Sequence, residues 1–115
     1  MPVVEIIGHK TVEVPEGTRL VKAILQAGVD IGHRCGGFAR CTTCRVKLAA
    51  GEPERMTQAE RSKLEEREIR DARLSCQIEV DRDMRVEPLM LVSEQGWSDG
   101  GPEPEDEITP APEWT

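Results

Sequence analysis

Cys35, Cys41, Cys44 and Cys76 are the only cysteines in this chain of 115 residues, spaced C-x5-C-x2-C-x31-C. Three lie on one glycine-bearing loop, Cys35-Gly36-Gly37-Phe38-Ala39-Arg40-Cys41-Thr42-Thr43-Cys44, and the fourth stands in Leu74-Ser75-Cys76-Gln77. If the four thiols act together, the fold must return a distant segment to a tight loop. As thiolates they form a soft ligand set. A [2Fe–2S] cluster is held by three cysteines on one loop and a fourth far along the chain, with a known spacing one residue shorter in the first interval.

Other uses of four cysteines have distinct requirements. Met1-Pro2-Val3-Val4-Glu5 offers neither a basic n-region nor an apolar stretch of about 7–15 residues. A cytoplasmic, reducing location is therefore expected, where disulfides are rare. Cys41-Thr42-Thr43-Cys44 is one C-x2-C hook of a zinc site, but zinc ribbons pair two such hooks and Cys76 stands alone. A zinc-stabilised binding module stays open as the alternative of a different class. A thioredoxin-like dithiol explains neither Cys35 nor Cys76. A Rieske centre needs two histidine ligands, and neither His9 nor His33 stands in a Cys-x-His hook.

At this length one domain is expected, and no run of about 18 apolar residues suggests a membrane span. The net charge is −7, unevenly distributed: residues 1–92 hold 15 acidic and 15 basic side chains, whereas 93–115 hold seven acidic and no basic ones. Pro102, Pro104, Pro110 and Pro112 fall in that same stretch. The chain thus divides into a body, 1–92, and an acidic, Pro-rich tail, 93–115, expected to be flexible unless Trp97 or Trp114 pins it. The basic footprint of a nucleic-acid binder is missing.

The body has an α+β rhythm. Val3–Ile7 and Thr11–Val14 read as a hairpin around Gly8-His9-Lys10. Thr18 is placed to cap a helix whose Leu20, Ala23, Ile24 and Ala27 recur at helical spacing, with Gly28 just past its end. A short strand is expected at Arg45–Leu48, a charged helix from Thr57 to about Ala72, and closing strands at Gln77–Val80 and Met84–Glu87. In the charged helix Glu60, Glu65, Glu66, Glu68 and Asp71 alternate with Arg61, Lys63, Arg67, Arg70 and Arg73. That alternation reads as a self-compensated solvent face, with i,i+4 pairs such as Arg61–Glu65, Glu66–Arg70 and Arg67–Asp71.

With these motifs the sequence resembles the [2Fe–2S] ferredoxins of the plant-type/adrenodoxin-like superfamily. Cys35-Gly36-Gly37 and Cys41-Thr42-Thr43-Cys44-Arg45-Val46 are similar to the family's cluster loop, and Arg73-Leu74-Ser75-Cys76-Gln77-Ile78 to its return segment. Asp83-Met84 through Pro88 resembles its closing strand. Five residues between the first two cysteines match the adrenodoxin-like branch, while the last interval is nearer the plant spacing.

The resemblance implies a β-grasp (ubiquitin-like) fold, a mixed sheet crossed by one main helix with a second, charged helix. It implies a [2Fe–2S] cluster on Cys35, Cys41, Cys44 and Cys76, with Cys35 and Cys41 on the outer iron and Cys44 and Cys76 on the inner one. It also implies a soluble electron carrier, itself not an enzyme, working as a monomer between a flavin-type reductase and an acceptor oxidoreductase. An electron-transfer component of a larger oxidoreductase is the alternative within the family.

Two ferric ions, two sulfides and four thiolates sum to a formal charge of −2, becoming −3 on reduction. Buried charge of that size needs compensation, which backbone N–H groups near Gly36 and Gly37, the Thr42 and Thr43 hydroxyls, and Arg34, Arg40 and Arg45 are placed to supply.

Overall fold

The computed structural model describes residues 1–33, 43–53, 55–92, 107–108 and 112–114. Alternating apolar residues begin the sheet. β1 (Val3–Ile6) buries Val4 and Ile6 and pairs antiparallel with β2 (Thr11–Glu13), with Val4 opposite Val12. The turn closes through Ile6 N–H to Lys10 O (2.9 Å).

β7 (Met84–Pro88) buries Met84 and Val86 and lies parallel to β1, with Ile6 opposite Val86. On its other side runs antiparallel β4 (Arg45–Ala50), then β5 (Arg73–Leu74). The five-stranded order is β2-β1-β7-β4-β5. β3 (Thr18–Arg19) and β6 (Glu79–Val80) form a separate two-stranded sheet. On the exposed face Arg85 bonds Glu5 at 3.2 Å, the cross-strand partner set by register.

α1 (Leu20–Gln26) contributes Leu20, Val21, Ala23 and Ile24 to the core, where Val46, Leu74 and Val86 also sit. Each of the leucine, isoleucine and valine side chains contributes about 1.5–3 kcal/mol by leaving water. The helix closes in a Schellman arrangement: Gly28 N–H reaches Leu25 O (2.9 Å) and Val29 N–H reaches Ile24 O (3.3 Å), with Gly28 at φ +82°. Mixed sheet, main helix and charged second helix agree with the expected β-grasp architecture.

The start of α1 differs from expectation. Thr18 belongs to β3 and turns its hydroxyl back to Pro15 O (2.7 Å), so Arg19 is the N-cap and its side chain forms no cap bond. The second helix, α2 (Gln58–Glu66), also ends earlier than the charge pattern suggests. Glu68 takes φ +55° and Ile69 N–H bonds Leu64 O (2.8 Å), which turns Ile69 onto the core and leads into buried Ala72. Apolar burial overrides the i,i+4 charge pattern beyond Glu66: the spacings 66–70 and 67–71 are no longer helical, and Glu66 bonds Lys63 instead.

Gly51 follows β4 at φ +77°, and a Cβ there would lie 2.1 Å from Asp83 O. Two penalties coincide, a left-handed backbone and a clash with an immovable carbonyl. Gly51→Ala is expected to cost about 2 kcal/mol or more. Thermal unfolding checks this, and an unchanged Tm would show that the β4–β7 connection yields.

Candidate metal centre

Cys44 immediately precedes β4, and the pairing of Arg45 with Leu74 brings it beside the return segment. Its carbonyl accepts from both Ser75 N–H (3.1 Å) and Ser75 Oγ (2.7 Å). Cys76 follows on a 3-10 turn, Ser75–Gln77, that packs against α1. Cys44 and Cys76 are fully buried and neither is in a disulfide. The fold thus brings together two of the four expected ligands; Cys35 and Cys41, with Gly36, Gly37, Arg34, Arg40 and Thr42, lie outside the described residues. Of the neighbours that lie within them, Thr43 is buried, and His33 and Arg45 are half-buried.

The surroundings of Cys76 are rich in donors. Gln77 Nε2 donates to Cys76 Sγ at 3.6 Å, and Gln77 Oε1 accepts from Thr57 Oγ1 at 2.8 Å. Thr57 is also the N-cap of α2, its Oγ1 accepting from Glu60 N–H at 3.1 Å. Arg19 forks onto the Cys76 carbonyl, Nη2 at 2.7 Å and Nε at 3.1 Å, with its side chain buried. An amide donor therefore meets the buried sulfur, and a buried guanidinium sits on the backbone carbonyl of the same residue. This set suits an anionic thiolate better than a neutral thiol, and fits a negatively charged cluster.

Behind the cysteines lies a second polar network. The Glu60 carboxylate, fully buried, accepts from Arg73 Nε (2.7 Å), Arg73 Nη2 (3.0 Å) and Leu74 N–H (2.8 Å). Arg73 also donates to Pro53 O (3.2 Å), Arg55 O (3.1 Å) and Glu52 (3.4 Å). Burial works to lower the Arg73 pKa, but the bonds and charge of Glu60, with Glu52, outweigh it and hold the guanidinium above its usual range. In contrast to the solvent face that the charge alternation predicts, Glu60 and Arg73 are interior and anchor the return segment. Their single-letter charge pattern carries no sign of this, because burial depends on where α2 lands.

The chain's end returns to the same region. Glu113 O accepts from Gln58 N–H (2.7 Å), Trp114 bridges Thr57, and the Arg55 guanidinium stacks 4.2 Å from the Trp114 ring centroid.

Residues 4–81 match the family model for the 2Fe-2S iron-sulfur cluster binding domain. A component of the Na(+)-translocating NADH-quinone reductase of Marinomonas sp. (strain MWYL1) is 34% identical over 96 residues, covering 82% of this chain and 23% of that protein. This chain spans about a fifth of the length of such relatives. Among solved structures, the ISC-like [2Fe-2S] ferredoxin of Pseudomonas putida JCM 20004 superposes with a TM-score of 0.63 at 27% identity, over 76% of this chain and 91% of that one. A reduced putidaredoxin variant from Pseudomonas putida superposes at 0.55 and 25% identity, over 77% and 96%. No described helix is long and apolar enough to cross a membrane. With buried thiols at Cys44 and Cys76 and a matching model over most of its length, the chain belongs to the 2Fe-2S iron-sulfur cluster binding domain family of plant-type/adrenodoxin-like ferredoxins.

Proposed function

We propose that this chain is a soluble, cytoplasmic one-electron carrier, without a substrate site of its own, running as a monomer between a flavin-type reductase and an acceptor oxidoreductase. Cys35, Cys41, Cys44 and Cys76 hold the [2Fe–2S] cluster, which when bound supplies a centre that gains and loses one electron. The chain's own residues set its environment: Cys44 and Cys76 are kept from water by the core, Ser75 ties their segments together, and Arg19 and Gln77 offset negative charge. The observation that carries this reading is the superposition on almost the whole of a small ferredoxin, 91% of that chain, at 27% identity.

The reading is tested on anaerobically purified protein. Iron and acid-labile sulfide should each approach two per chain, reduction should take up one electron, and the midpoint should be negative, at or above about −400 mV. Zinc without sulfide would sink it in favour of a binding module. A second reading, a domain wired permanently into a larger oxidoreductase, is favoured by the NADH-quinone reductase relatives. It requires purification with partner chains, whereas a shuttle purifies alone.

The cluster domain is assigned to 1–92, with 93–115 as an acidic segment appended to it. Truncation after Val92 is expected to leave the visible spectrum intact. It removes the Glu113 acceptor from Gln58 and the Trp114 ring from Arg55, interactions of about 0.5–1.5 kcal/mol each. Tm should fall by about 4–8 °C per kcal/mol lost. Association with a basic reductase should slow, mainly at low ionic strength, because seven acidic side chains are removed. Cluster loss on truncation would show instead that 93–115 is part of the cluster domain.

A further inference from the structure

We propose that Gln77 and Arg19 form a buried donor clamp on Cys76 that raises the reduction potential of the cluster, and that Thr57 orients it. The inference rests on the reading of Cys76 as a cluster ligand. Gln77 directs Nε2 at the Cys76 sulfur, 3.6 Å away, and Arg19 places a guanidinium on the carbonyl of the same residue. Both side chains are buried, at 0% and 1% exposure, so water screens neither. A donor at sulfur and a nearby cation both favour the more negative, reduced cluster over the oxidised one.

The direction of the Gln77 amide follows from its two neighbours, an acceptor sulfur and a hydroxyl that can donate. A thiolate only accepts, so the amide presents Nε2 to sulfur and Oε1 to Thr57, whose Oγ1 donates to it while accepting from Glu60 N–H. Without the Thr57 hydroxyl the amide loses the donor that holds its oxygen away from the thiolate. The clamp is also covered from outside: Glu113 and Trp114 close over the backbone at Thr57 and Gln58.

The test is spectroelectrochemical titration of full-length, cluster-loaded protein, with iron and sulfide measured for each variant. Gln77→Met keeps approximate volume and removes the donor; Arg19→Met removes the charge; Thr57→Val removes the orienting hydroxyl, and Thr57→Ser restores it. Loaded Gln77→Met and Arg19→Met should each lower the equilibrium constant for reduction about threefold to tenfold, a tenfold change being about 59 mV for one electron. The Arg19→Met shift should persist at high salt, because a buried charge is poorly screened. Thr57→Val should move in the same direction and Thr57→Ser should not.

A wild-type potential in either loaded methionine variant overturns the clamp while leaving the carrier reading standing; a wild-type protein without iron and sulfide overturns the carrier reading itself. Should the variants fail to load, wild-type protein labelled with ¹⁵N at glutamine side-chain amides decides. Pulsed EPR of the reduced cluster should show a ¹⁵N coupling, and its absence overturns the clamp.

Discussion

Cys76→Ala is expected to yield a colourless protein with far less than two irons per chain and a much lower Tm. Cys76 is the one expected ligand outside the loop, so it alone would tie the return segment to the cluster itself. The size of the effect separates its two sources. Removing a buried thiol as a small hydrophobe costs about 1 kcal/mol. Losing a metal centre removes binding free energy that is also folding free energy, on the order of 5 kcal/mol or more, comparable with the whole stability of a small domain. A large loss therefore reports the cluster and not the cavity. Cys44→Ala, at an equally buried position just before β4, should behave alike. Cys76→Ser should assemble a weaker cluster, because a serine oxygen is a poorer ligand for iron. Full iron and sulfide in Cys76→Ala would move the fourth ligand elsewhere.

Periodicity exposes the elements long enough to have a period. Val4 and Ile6 alternate with polar neighbours, and Leu20, Ala23 and Ile24 follow a helical repeat, so β1 and α1 emerge within a residue or two. β3, β5 and β6 are two residues each, too short for any repeat, and exist because their partners hold them. Thr18 satisfies the composition rule for a cap, yet its hydroxyl serves Pro15 O, a choice made by the turn geometry. The pair Cys44 and Cys76 is legible because its chemistry is rare. Arg19, Gln77 and Glu60 are not, because arginine, glutamine and glutamate are ordinary surface residues. Only the packing of α1 against the 3-10 turn and of α2 against β5 makes them interior.

Glu60→Ala is expected to be the most destabilising change outside the cysteines, at about 3–5 kcal/mol. The carboxylate is fully buried and accepts three bonds, two from Arg73 and one from Leu74 N–H. Its removal leaves a buried guanidinium held, among the described residues, by the Pro53 and Arg55 carbonyls and the more exposed Glu52, and a backbone donor without its acceptor. Glu66→Ala is the control: its carboxylate stays in solvent beside Lys63, and no comparable loss should follow.

The pH profile carries a sign. The folded pKa of Arg73 is raised, so its contribution is complete below the ordinary guanidinium range and is lost only as pH climbs through the raised value. Across the neutral range the Arg73 share of the Glu60→Ala deficit should stay constant. Replacing both partners, as Glu60→Leu with Arg73→Met, removes the uncompensated charge and should recover much of the stability. Because Arg73 and Leu74 lead directly into Ser75 and Cys76, Glu60→Ala should also shed its cluster faster than the double variant. Chemical denaturation with visible absorbance reads both quantities at once. A deficit under about 1 kcal/mol would mean that water reaches the pair, as it does at surface salt bridges.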